Sequence, residues 1–360
     1  MNSQTLMGDA LTVPPCAGGA SVSSNYADEP RLIRLENGNG MQITLMDWGA
    51  TWLSCLVPLA TGERREVLLG CPSAEQYGQQ QVYLGAMVGR YANRIARGHL
   101  PYPGGDRQLT TNQAGNMLHG GPGGFDKQRW HVLEQTAQQV RFGLISPAGD
   151  QGFPGQLEVE VVYCLDDDNS VTLQMQAHTD ALTPVNLTNH AYFNLDGIIS
   201  DVRQHSLRLS ADFMVPTDGT GIPLGPLALV DGTSFNFNQH KLLAADFLAD
   251  EQQQLAKGYD HSYLLHRMPG KKYPIAAELI SADGRLSLQL ATSLPGLQLY
   301  SGNYLAGTPS RDGGEYADYA GVALEPQFLP DSPHHPEWPQ PGCWLEPGQH
   351  FQHHIRYQFS

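Results

Sequence analysis

From Arg31 onward, apolar side chains arrive in short runs cut by turn formers: LIRLEN, MQITLMDWGATWLSCLVP, EVLLGC, WHVLEQ, QVRFGLIS, GQLEVEVVYCLDDDNSVTLQMQAHT and HSLRLSADFMVP. Within most of them apolar and polar positions alternate, the period of a strand with one face buried. Asn37-Gly38, Thr61-Gly62 and Asp168-Asn169 punctuate the runs, and the last is placed to turn a hairpin. Helical spacing is rare. It predicts one short helix near 74–77 and another over 244–255, where AADFLADEQQQL joins helix formers to approximate i, i+3, i+4 apolar spacing. With no fixed-period repeat, no low-complexity linker and no β–α alternation, the pattern predicts an all-β chain: a large antiparallel β-sandwich with few short helices, one domain over 29–360. Residues 1–28 are small and polar, with Pro14-Pro15 and Gly18-Gly19, and read as a flexible N-terminal leader.

One stretch carries more polar side chains than a buried strand should. In TPVNLTNHAYFNLD, residues 183–196, an extended chain sets Val185, Leu187, Ala191, Phe193 and Leu195 on one face and Asn186, Thr188, His190, Tyr192 and Asn194 on the other. Only Asn189 interrupts the apolar face. The polar row must then meet water or something that hydrogen-bonds as water does, such as a sugar.

Other polar groups stand in apolar settings. GRYANRIARG carries Asn93 and Arg94, and NMLHGGPGGFDKQRW sets His119 before a glycine pair that lets backbone approach a ligand. KGYDHSYLL places Asp260 and His261 at a strand entry, and LPGLQLYSGNYL puts Gln298 and Tyr300 opposite Leu297 and Leu299. In GVALEPQFLPD, Ala323, Glu325 and Gln327 share a face, and Pro326 removes a backbone donor, so the strand is expected to end with the Glu325 carboxylate at its tip.

Composition narrows the chemistry. A formal net charge of -15 over 360 residues argues against nucleic-acid and anionic-membrane partners and favours a neutral ligand. Cys16, Cys55, Cys71, Cys164 and Cys343 follow neither disulfide nor zinc spacing and read as free thiols of a cytoplasmic protein. No export signal or membrane-spanning apolar run is visible. Phosphate-loop, dinucleotide and G-x-S-x-G patterns are missing. Of the fourteen histidines, the adjacent pairs His334-His335 and His353-His354 would point to opposite faces of a strand, and H-E-x-x-H is lacking, so no metal and no cofactor are expected and most histidines read as surface groups.

Taken in order over residues 31 to 358, GRYANRIARG, LHGGPGGFDKQRW, DQGFPG, NLTNHAYFNLDG, KGYDHSYLL, LPGLQLYSGNYL and LEPQFLPD resemble the aldose 1-epimerases. The resemblance implies a mutarotase-like supersandwich with a wide sugar cleft on one sheet face and a monosaccharide substrate, as monomer or homodimer. Carried over position by position, it makes His190 the general acid and Glu325 the general base. It makes Asn93, Arg94, His119, Asp260 and Gln298 the residues that hold the sugar. Three rival readings stay open: an epimerase of hexose 6-phosphates, a glycosidase using Asp260 and Glu325, and a sugar-binding module without activity.

Overall fold

The computed structural model describes residues 29–197, 201–266, 270 and 274–360; the expected leader, 1–28, lies outside the described residues. Leu157–Asp166 and Ser170–Thr179 form the longest hairpin, paired from Leu157↔Thr179 to Asp166↔Ser170. In the first of these, Leu157, Val159, Val161, Tyr163 and Leu165 point inward while Glu158, Glu160, Val162, Cys164 and Asp166 point out. Asn169, at φ 58, turns the chain where the sequence predicts the hairpin. The last strand, Phe351–Phe359, then inserts between Ser170–Thr179 and Ser287–Thr292. A nine-stranded sheet results, running His131–Gln135, Gln139–Ser146, Leu157–Asp166, Ser170–Thr179, Phe351–Phe359, Ser287–Thr292, Ile275–Ile280, Ser206–Leu209, Lys241–Leu242.

A six-stranded sheet runs Tyr192–Phe193, Val322–Gln327, Gly296–Tyr300, Asp260–Leu265, Ala211–Met214, Ala228–Leu229, and a four-stranded sheet runs Leu32–Glu36, Gln42–Met46, Thr51–Pro58, Arg64–Glu66. Adjacent strands in all three are antiparallel. Leu297, Leu299, Val322 and Leu324 of the six-stranded sheet share one apolar core with Ile355 and Tyr357 of the nine-stranded sheet. Phe193 and Tyr357 rings meet there at 5.4 Å between centroids, and Trp52 of the four-stranded sheet lies 5.4 Å from Tyr357. The observed layers agree with the sandwich expected from the alternation.

Several local expectations need correction. Residues 183–196 are not one strand but short bridged pieces, Thr183–Pro184, Thr188–Asn189 and Tyr192–Phe193, each paired with a different partner. The polar row is not solvated either: Asn186, Thr188, His190, Tyr192 and Asn194 are all buried. Asn186 donates to Ala92 O and accepts from Phe328 N–H, and Asn194 donates to Ala320 O, so these amides stitch backbone rather than meet a ligand. Asn189, the odd residue of the apolar face, donates to Gly85 O and Tyr163 Oη.

The second helix covers only Glu251–Ala256, because Asp250 caps it by accepting from Gln253 N–H and Leu248 sits at φ 58 just before. The first covers Ala74–Gln79, capped by Ser73. The strand that carries Glu325 does not stop at Pro326 but runs to Gln327, paired Gly296↔Gln327, and its six residues are all buried. Most histidines are exposed or partly exposed, as expected, while His119, His190, His205 and His261 are buried. His334 and His335 lie on a 3-10 turn rather than a strand and face the same carboxylate, that of Asp331.

Candidate active site

Strand parity builds the floor of a cleft. In the six-stranded sheet, Gln298 stands opposite Glu325, Ser262 opposite Gln298, Asp260 opposite Tyr300, and Tyr192 opposite Ala323. Four neighbouring strands thus turn one row of polar side chains to the same side, away from the leucines of the core. Loops raise the walls: Gln81–Tyr83 on one side, Asn93–Arg94 with Gln113 and Leu118–His119 on another, and Tyr304 at the rim. The cavity is about 290 Å³, and Asn93, Arg94, His119, His190, Asp260, Gln298 and Glu325, the seven residues singled out in the sequence, all line it.

His190 and Glu325 face each other at its base, Nε2 to Oε1 at 3.6 Å, with side chains only 5% and 3% exposed. Glu325 Oε2 and His190 Nδ1 have no hydrogen-bond partner among the described residues. Burial sets their proton chemistry: His190 is pushed down to about 4 by desolvation, opposed by its own backbone and by the Asp260 charge. Glu325 is pushed well above the usual carboxyl range, mainly by desolvation, then by Asp260, with Arg94 opposing. The two groups therefore hold one proton between them from about pH 4 up to the raised value of Glu325.

His190 is also packed between rings. Tyr192 lies 4.9 Å away at 33° and Tyr83 5.7 Å away at 23°, while His119 meets it edge-on at 5.3 Å. The loop carrying Tyr83 is tied to the His190 backbone by two hydrogen bonds, Gly85 N–H to His190 O at 2.9 Å and His190 N–H to Ala86 O at 2.9 Å.

Asn93 and His119 lock each other. His119 N–H donates to Asn93 O at 3.0 Å, and Asn93 N–H donates to His119 Nδ1 at 3.1 Å. A ring nitrogen that accepts carries no proton, so neutral His119 is protonated at Nε2 and offers a donor. Burial holds it neutral, and the His190 and Arg94 charges add to that push. His119, His190 and Glu325 bring ligand-type atoms within 4.8 Å of one another, a spacing a metal could use. Yet the lone pair a cation would need at His119 is turned to the Asn93 backbone, and the geometry suits an oxygen of a ligand instead. Tyr83, Asn93 and His119 hold φ values of 58, 63 and 49, a concentration of left-handed non-glycine backbone around one site.

Asp260 does not pair with His190. Its Oδ1 accepts from Gln298 Nε2 at 2.6 Å and its Oδ2 lies 3.7 Å from the Arg94 guanidinium. Arg94 also donates from Nε to Gln113 Oε1 at 2.8 Å. Gln298 is oriented in turn by the Ser262 hydroxyl, which donates to its Oε1. The glycine pair after His119 serves chain packing rather than ligand approach: a Cβ on Gly120 would lie 2.0 Å from Gly89 O. Sequence reasoning did not single out Tyr83, Gln113 or Tyr304, which sit on loops without periodicity. Tyr192 and Tyr300 were legible only as members of a polar face.

A cleft on an antiparallel sandwich, floored by a facing imidazole and carboxyl and walled by hydrogen-bonding groups, defines an acid–base enzyme for a small polyhydroxylated molecule. The family model described as Aldose 1-epimerase matches residues 31–358. The chain is 53% identical to the aldose 1-epimerase of Escherichia coli (strain K12) over 330 residues, 91% of this chain and 95% of that one. It is 37% identical to the galactose mutarotase of Homo sapiens over 322 residues, 89% and 91% of the two chains. The solved structure of the GalM/aldose epimerase homologue from C. elegans aligns with a TM-score of 0.84 at 29% identity, over 92% of this chain and 99% of that one. The chain belongs to the aldose 1-epimerase family, and it is an isomerase with aldose 1-epimerase activity.

Proposed function

We propose that the substrates are free hexoses such as galactose and glucose, with Glu325 as general base, His190 as general acid, and Asn93, Arg94, His119, Asp260 and Gln298 holding the sugar. The observation that carries this is the buried His190–Glu325 pair, 3.6 Å apart with free Glu325 Oε2. The Glu325 carboxylate takes the proton of the C1 hydroxyl, whose O–H electrons become the second bond of the aldehyde. The C1–O5 bond breaks, and its electron pair takes the proton of the His190 imidazolium on the ring oxygen. Rotation about C1–C2 and the same steps in reverse close the other anomer. The enzyme's net change is from imidazolium and carboxylate to imidazole and carboxylic acid, two arrangements of the same single proton.

The physical environment suits that exchange. Burial favours the neutral arrangement, the one that accompanies the open-chain aldehyde. Sugar hydroxyls donating to Glu325, together with the Arg94 charge, favour its carboxylate and so the ionised arrangement needed to start, while the Asp260 charge raises both groups. His119 Nε2–H, held by Asn93, is a donor for a sugar oxygen, and no metal or cofactor enters any step.

Among the described residues lining the cleft, Arg94 is the one cation, and Asp260 and Gln113 already engage it. That favours a neutral hexose over a hexose 6-phosphate, which needs further cations. We further propose that 29–360 forms one catalytic domain preceded by a leader, 1–28. The protein is proposed to act in the cytoplasm as a monomer or homodimer, in keeping with the free thiols Cys55, Cys71, Cys164 and Cys343. Among the described residues no helix is long and apolar enough to cross a membrane. Polarimetry of freshly dissolved α-galactose, α-glucose and an α-hexose 6-phosphate tests the substrate class. Free hexoses should be turned over far faster; comparable kcat/KM for the 6-phosphate would overturn it.

A further inference from the structure

Away from the cleft, two histidines from distant parts of the chain meet nitrogen to nitrogen. His99 Nδ1 lies 3.1 Å from His334 Nε2, across a sequence separation of 235 residues. Each ring's outer nitrogen is taken by a carboxylate: His99 Nε2 is 2.8 Å from Asp106 Oδ2, and His334 Nδ1 is 2.7 Å from Asp331 Oδ1. A carboxylate accepts, so these contacts place a proton on each outer nitrogen. The inward nitrogens are the ones that carry lone pairs, with at most one proton between them.

This is how histidine ligands are prepared for a cation. A carboxylate on the outer nitrogen fixes tautomer and ring orientation, and the inner lone pair is left to coordinate. The spacing is close, since two nitrogens each about 2.0–2.1 Å from a tetrahedral Zn²⁺ stand about 3.3 Å apart; with ring centroids 5.4 Å apart the two nitrogens meet head-on, so a cation sits to one side of their line and both rings turn towards it. His119 in the cleft shows the opposite arrangement, with its available nitrogen protonated. The His99 and His334 side chains are 41% and 24% exposed, which leaves an entry path and room for water ligands. His335 is otherwise engaged, at 2.9 Å from Glu337 and stacked on Trp338 at 4.0 Å.

We propose that His99 and His334 form a two-histidine site for a borderline transition-metal dication such as Zn²⁺, completed by water and separate from the sugar cleft. Imidazole pairs suit Zn²⁺, Cu²⁺ and Ni²⁺ and offer nothing to Mg²⁺, which takes oxygen ligands. The bound ion staples the strand His99–Leu100 to the turn Ser332–His334. Asp331 extends the staple towards the cleft: its N–H donates to Arg94 O at 2.8 Å and its Oδ1 accepts from Ala96 N–H at 3.0 Å. The ion stiffens the back of the segment that carries Asn93 and Arg94 and takes no part in the chemistry.

Calorimetric titration of the full-length protein with ZnCl₂, with and without saturating hexose, tests the site, with MgCl₂ as control. One Zn²⁺ per chain should bind in the micromolar range whether or not hexose is present, and Mg²⁺ should not. His99→Asn and His334→Gln should each weaken that binding at least tenfold while turnover stays at the parent level. Zn²⁺ affinity unchanged in both variants, displacement of the ion by hexose, or no Zn²⁺ binding at all would each overturn the proposal.

Discussion

His190 and Glu325 hold one proton between two buried groups, and the rate should follow that inventory. On the acid side the pair gains a second proton as His190, pushed down to about 4, becomes charged beside an already protonated Glu325. On the alkaline side it loses its last proton at the raised value of Glu325. A profile of kcat/KM against pH for the free enzyme should be a broad bell whose acid limb lies well below the 6.5 of an ordinary imidazole. An acid limb near 6.5 would show that His190 titrates as a solvated group. The sequence showed which residues of one strand share a side, Gln298 with Tyr300 and Glu325 with Ala323 and Gln327, while the pairing Gln298↔Glu325 is what brings the two rows to one face. It did not show their burial: a face of alternating polar residues reads as solvated until loops such as 81–83 and 113–119 wall it in. Nor could spacing reveal that Asp260 faces Arg94 and Gln298 rather than His190, since that depends on the register of three strands.

At the scale of elements, the loop holding His119 depends on close backbone packing. Gly120 has φ +88, and an added Cβ would stand 2.0 Å from Gly89 O, whereas Gly62, at φ +86, has nothing within 4 Å. Gly62→Ala should cost only the left-handed strain, about 1–2 kcal/mol. Gly120→Ala adds a clash with backbone that cannot yield, and should cost about 3 kcal/mol or more and lower turnover by moving His119. Denaturant unfolding of both variants measures the difference; equal losses would show that the loop relaxes freely. The sheet strands were legible where a strand such as Leu157–Asp166 keeps a strict period of two. The stretch 183–196 misled because its alternation is real while its hydrogen bonds go to separate partners, a tertiary choice that periodicity does not encode. The helix at 251–256 was read too long because propensity over 244–250 yields to turns and to the Asp250 cap.

For the whole molecule, buried imidazoles make folding sensitive to acid. His261 is pushed down to about 4 by desolvation, half-buried His353 likewise to about 4, and burial also holds His119 well below the usual imidazole range. The unfolded chain protonates these rings near 6.5, so between 6.5 and about 4 it binds more protons than the folded chain, and their stabilisation, present above 6.5, is lost as pH falls. Asp126, raised to about 6 by desolvation, acts the other way: its contribution is largest at low pH and is lost as pH rises through about 6. His190 and Glu325 offset each other as a pair. The imidazoles outnumber Asp126, so the melting temperature should fall steadily from pH 7 to pH 4.5; a rise would contradict the buried neutral state of these rings. Residues 1–28 have the small, polar composition proposed for a leader, and among the described residues Ile33 is the first core side chain. Deleting residues 1–25 should therefore leave both melting temperature and turnover nearly unchanged, and a large fall in either would show that the leader belongs to the catalytic unit.

The assignment of base and acid meets its most direct test in Glu325→Gln, which keeps the size and hydrogen bonding of the side chain and removes proton acceptance. Measured by polarimetry on α-galactose, kcat should fall by about 10² or more with KM nearly unchanged, as expected when a group acts mainly in the transition state. A near-normal kcat with a raised KM would make Glu325 a binding residue and move the base to Asp260.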